Sequence, residues 1–142
     1  MPQIEVGDSK FYYEEVGQGT PLVLLHGLGS SVEDWEYQIP EFSKHYRVIA
    51  MDLRGFHRTP RGTGALTIER FAADVWALLK LLGVDRFHVV GHSMGGAIAL
   101  QLALNHPSAV IKMVIANSVP SFRPQTLKQH FEVWYRKIVM RI

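Results

Sequence analysis

Four short apolar runs constrain the fold of this chain more than any other feature. They are Pro21–Leu25, Tyr46–Met51, Arg86–Val90 and Val110–Ala116. Each is about one strand long and mostly apolar at successive positions, the pattern of a strand buried on both faces of a sheet. Stretches with helical spacing separate them. This alternation predicts a doubly wound, mostly parallel sheet of the α/β class. Ligand sites in such sheets lie at the carboxyl ends of the strands. His26-Gly-Leu-Gly29, Asp52-Leu-Arg-Gly55 and Gly91-His-Ser-Met-Gly-Gly96 each follow a strand and so share that edge.

The intervening elements have recognisable ends. Ile4–Val6 and Phe11–Val16 read as short strands around a turn at Gly7-Asp8-Ser9, and Gly17–Pro21 is a second turn. Ser30 and Glu33 stand at capping-box spacing and predict a short helix with Trp35, Ile39 and Phe42 on its buried face. Thr67 caps a helix reaching about Leu82. Its apolar residues, from Ile68 through Phe71, Val75 and Leu78, recur at helical spacing, and Gly83 ends it. Ala97–Asn105 is an Ala-rich helix closed by Pro107. Thr126 and Gln129 form a second capping box, opening a helix with Leu127, Phe131, Trp134, Ile138 and Ile142 along one face.

A formal charge of +2 with scattered Lys and Arg makes no demand for nucleic acid or an anionic membrane, although Lys128, Arg136, Lys137 and Arg141 opposite the apolar face of the last helix leave a membrane surface as the alternative to a lid. Without cysteine, disulfides, thiolate catalysis and Cys-based zinc sites are excluded. Residues Met1–Lys10 include acidic groups and no apolar run, unlike a secretory signal, and no stretch has the length of a membrane span. A cytoplasmic location is the default expectation. No cofactor or metal is predicted.

Gly91-His-Ser-Met-Gly95 matches Gly-x-Ser-x-Gly between a strand and a helix. Ser93 in that setting sits on a tight, strained turn, and the flanking glycines let neighbouring backbone approach without Cβ clashes. Its hydroxyl then projects over the sheet edge, where the N-terminus of the next helix favours developing negative charge. Attack on a carbonyl creates an oxyanion that needs two N–H donors. Met94 supplies one, and Leu28, in the loop after the earlier strand, is the choice for the second.

With Leu-Leu-His26-Gly27, Asp52-Leu-Arg-Gly55 and Gly91-His-Ser-Met-Gly-Gly96 in that order, the chain resembles the α/β-hydrolase family over essentially its whole length. The resemblance implies a serine hydrolase from the group of esterases, lactonases and carbon–carbon-bond hydrolases. Serine at 93 argues against the family's dehalogenases and epoxide hydrolases, which use aspartate there. His26 is implied to hold the loop shape, while His26, Gly27, His57 and Asn117 are candidates to line a pocket. Asp52-Leu-Arg-Gly-Phe-His-Arg-Thr59 resembles a structural loop in which His57 replaces a glycine and Thr59 a serine. Residues 1–121 are then the N-terminal part of the core, and 122–142 the start of a lid.

In this fold the acid and the histidine follow the serine. After Ser93 the sole carboxylate is Glu132, with no later histidine. His106 falls at the far end of the following helix, roughly 20 Å away, and Asn117 stands where some relatives carry the acid. The expectation is a sequence that stops after the sixth strand and the start of the lid, inactive alone. A small acyl molecule is the expected substrate. Self-association or a complementary C-terminal chain is the expected assembly, and a non-catalytic binding module is the alternative.

Overall fold

A computed structural model of the chain describes residues 2–118 and 126–139. Six strands form one sheet: β1 (Gln3–Val6), β2 (Ser9–Val16), β3 (Pro21–Leu25), β4 (Arg47–Met51), β5 (Phe87–His92) and β6 (Val110–Ala116). Their spatial order is β1-β2-β4-β3-β5-β6. The β1–β2 hairpin is antiparallel and joins β4 antiparallel, whereas β4, β3, β5 and β6 run parallel. Among the described residues four α-helices accompany them: α1 (Gln38–Phe42), α2 (Ile68–Leu81), α3 (Met94–Asn105) and α4 (Leu127–Val139).

Alternation along β3 explains why its sequence is apolar throughout. Val23 and Leu25 face one core, with Phe71, Val75, Leu78, Leu79, Ile98 and Leu102 of α2 and α3. Leu22 and Leu24 face a second core, with Val32, Trp35 and Ile39. The expectation of strands buried on both faces holds for β3 and β4, and not for the far edge. β5 alternates between buried and half-buried positions. Among the described residues β6 pairs only with β5, and it leaves Ile111, Val114 and Ile115 exposed, Val114 by 57%. An edge strand lacks a neighbour on one side, and no element covers this one's outer face among the described residues.

The expected single helix after Ser30 is instead a 3-10 turn at Val32–Trp35 followed by α1. Pro40 explains the break. A continuous helix would place it in the interior, where it donates no N–H; within α1 it falls in the first turn. The cap is Ser31, whose Oγ accepts from the Glu33 N–H at 3.2 Å, rather than Ser30. The other caps form as read. Thr67 Oγ1 accepts from the Arg70 N–H, and Thr126 and Gln129 exchange reciprocal bonds of 3.2 Å. The boundary expected between 121 and 122, the side chain of Ile138, and Ile142 lie outside the described residues. Among the described residues, no helix is long and apolar enough to cross a membrane, and no cluster of three His, Asp or Glu is placed to hold a metal.

Candidate active site

Ser93 is the single residue between β5 and α3, with φ +51° and ψ −116°. L-residues rarely adopt such a conformation, and its persistence requires the surroundings to hold it. Ser93 N–H donates to the Ala116 carbonyl at 2.9 Å, and its carbonyl accepts from the Gly96 N–H at 3.0 Å. The side chain makes no capping bond to α3. The neighbouring glycines are required by contact. A Cβ on Gly91 would overlap the Gly95 carbonyl, and one on Gly95 would overlap the carbonyls of Leu25 and His26. Gly96 is pressed as closely by the Ser118 side chain, whose Cβ would lie 2.5 Å from an added one.

The loop after β3 turns back beside this serine. Ser30 N–H donates to the Gly27 carbonyl at 3.3 Å, with Gly29 at φ +76° as the third residue of the turn. A Cβ built on Gly27 would stand 3.4 Å from Ser93 Cβ and 3.2 Å from His92 Nδ1, so the Gly27–Leu28 peptide lies against the Ser93 turn. His26 orients that peptide. Its Nε2 accepts from the Leu53 N–H at 2.9 Å. The ring proton is therefore on Nδ1, which donates to the Gly27 carbonyl at 2.7 Å. In a trans peptide the Leu28 N–H then points the opposite way. Among the described residues, no backbone carbonyl takes up the N–H of Leu28 or of Met94.

His26 is fully buried and supports the loop from beneath. Burial lowers its pKa, outweighing the Gly27 carbonyl and the charges of Asp52 and Asp34, and the ring stays neutral. Gly27 is buried beside it. Asn117 follows β6 directly, is exposed and has φ +49°. Three further histidines are engaged away from Ser93. His88 meets Tyr46 edge-on, His106 stacks on Trp76 at 3.8 Å, and His130 Nδ1 is bonded to the Thr126 carbonyl. Among the described residues, no histidine or carboxylate is hydrogen-bonded to Ser93.

The loop after β4 is built on charge. Asp52 has no exposed surface and accepts from the Val32 N–H at 2.8 Å and from Arg58 Nε at 2.7 Å. Arg58 lies over the Tyr12 ring at 3.6 Å, and Thr59 Oγ1 accepts from the Tyr12 N–H. Arg54 makes two bonds to Asp74, at 2.6 and 2.8 Å, and one to Asp8. Those carboxylates raise the Arg54 pKa, while Thr63 and Arg54 hold the Asp8 carboxyl well below the usual range. Sequence inspection marks Asp52 and Arg54 as motif letters and gives no sign of these partners. His57, exposed at φ +46°, keeps the left-handed conformation that suits the glycine it replaces, and faces Glu33 at 3.4 Å.

Residues 20–140 match the alpha/beta hydrolase fold family. A putative carbamate hydrolase RutD from Azorhizobium caulinodans is 38% identical over 117 residues, covering 82% of this chain and 44% of that protein. A fluoroacetate dehalogenase from a Burkholderia species is 32% identical, covering 84% and 41%. The structure of Est816, an N-acyl homoserine lactone degrading enzyme, superposes with a TM-score of 0.79 at 39% identity, covering 82% and 45%. The chain thus spans less than half the length of these relatives. The sheet order, the strained serine between β5 and α3 and the match over residues 20–140 agree, and the chain belongs to the α/β-hydrolase fold family.

Proposed function

We propose that Ser93 is the nucleophile of a serine hydrolase acting on an ester, thioester, lactone or similar acyl substrate. The posture of Ser93 carries this proposal: a positive φ held by Ala116 and Gly96, with a hydroxyl that caps nothing. Ser93 Oγ attacks the substrate carbonyl carbon and passes its proton to a base. The resulting oxyanion accepts from the N–H groups of Leu28 and Met94, which donate to no backbone carbonyl among the described residues. Collapse expels the alcohol or thiol, and water releases the acyl group. The hydroxyl at 93 separates this chemistry from that of the dehalogenase relative, which the family resemblance assigns to an aspartate.

An unassisted serine hydroxyl is a poor nucleophile. The acid and histidine are assigned to polypeptide outside the described residues. The test is aryl-acetate hydrolysis by the chain, alone and with a separately produced C-terminal half of a matched relative. Complementation is expected to produce turnover that Ser93→Ala lowers by about 10⁴-fold, with only weak activity from the chain alone. Turnover that survives Ser93→Ala would sink the proposal. That no histidine or carboxylate among the described residues is hydrogen-bonded to Ser93 favours a second reading, a non-catalytic binding module, which predicts ligand affinity unchanged by Ser93→Ala and no turnover in any mixture.

A further inference from the structure

A cleft of about 440 Å³ opens between the loop after β3 and the loop after β4, with Gly29, Ser31, Glu33, Asp34, Phe56 and His57 on its walls. Gly29 follows the proposed oxyanion donor Leu28, so the cleft adjoins the turn at which an acyl group would be held. Its polar pair is exposed, and the two loops bring it together. His57 Nε2 and Glu33 Oε1 face each other at 3.4 Å across the two loops. Their chain neighbours are pinned to one buried carboxylate, because Asp52 accepts from the N–H of Val32, which precedes Glu33, and from the N–H of Arg58, which follows His57. One fully buried group therefore sets the spacing of both walls.

With a carboxylate opposite Nε2, the tautomer that donates to Glu33 carries its proton on Nε2 and leaves Nδ1 as an acceptor. The second Glu33 oxygen and the Asp34 carboxylate are acceptors too. Of the wall residues, none is Lys or Arg. The wall thus suits a hydrogen-bond donor. We propose that this cleft is a subsite for a hydrogen-bond-donating group of the substrate, with His57 as the specificity-determining residue and Glu33 holding its ring. The assignment to a substrate rests on the serine-hydrolase proposal; the binding preference does not.

Two isosteric, hydrolysis-resistant probes test it: N,N-dimethyl-4-hydroxybutanamide and N,N-dimethylpentanamide. Each is titrated into the chain while the His57 ring resonances are followed by NMR. The hydroxyl probe is expected to shift the His57 signals saturably and to bind about tenfold more tightly than its alkyl isostere. His57→Gly suits the positive φ and keeps the loop; it is expected to abolish the difference. Glu33→Gln is expected to reduce it a few-fold. Equal affinities, no saturable shift at any soluble concentration, or discrimination that survives His57→Gly would overturn the proposal. Binding is read without turnover, so failure of Ser93 to hydrolyse aryl esters leaves this result intact, and the two proposals fail separately.

Discussion

Ser93 holds a backbone conformation that suits glycine, and its neighbours are arranged to keep it there. Ser93→Gly should therefore raise stability by up to about 1 kcal/mol in urea unfolding while removing the hydroxyl. Gly95→Ala is the opposite case. Its methyl would overlap backbone carbonyls of β3 and the following loop, which cannot rotate aside, and a loss of about 3 kcal/mol is expected. His26 makes a prediction about pH. Its folded pKa lies below the ordinary 6.5, so over that interval unfolded chains bind a proton that folded chains refuse. The stability His26 contributes is full above about 6.5 and is lost as pH falls through that range. Unfolding free energies of the native chain and of His26→Gln should converge as pH is lowered. A constant difference would mean that His26 is not held neutral by the fold.

The elements were legible in the sequence where the signal is local. Gly91 and Gly95 bracket Ser93 in the sequence as they do in space, and the Thr126–Gln129 cap forms as its spacing implies. Long-range charge is different. Arg54 bonds to Asp74 and Asp8, 20 and 46 residues away, and no periodicity or motif marks such partners. That cluster ties the β1–β2 turn, the loop after β4 and α2 together. Arg54 is 2% and Asp74 10% exposed in their side chains. Asp74→Asn would leave a buried guanidinium underpaired and is expected to cost about 3 kcal/mol, whereas Arg54→Met with Asp74→Leu should cost less. Comparing the single and double variants by denaturant unfolding separates lost attraction from stranded charge. A double variant as unstable as Asp74→Asn would contradict this account. The break at Pro40 was legible in principle, since proline cannot donate within a helix interior.

For the whole molecule, sheet class and strand sequence order were visible in the apolar runs, but the unevenness of the sheet was not. An apolar strand reads as central whether or not anything covers it, and only the structure shows β6 at the margin. Val114, Ile111 and Ile115 are exposed along it, and Leu127, Phe131, Trp134 and Tyr135 are exposed on α4. Exposed apolar edges invite pairing. Sedimentation over a concentration series is expected to show association that Val114→Lys and Trp134→Glu each weaken. A monomer at every concentration, indifferent to both changes, would show that neither surface is adhesive.

The bond from the Ser93 amide to the Ala116 carbonyl connects this margin to the serine. Ala116 is the last residue of β6, so the proton on Ser93 is shielded only while the outermost strand stays laid down. In hydrogen exchange, Ser93 should open together with the amides of β6 and ahead of the interior turns of α3. Whatever polypeptide settles on β6 would slow exchange at both places at once. Covering the edge of the sheet and keeping the serine poised would then be the same equilibrium.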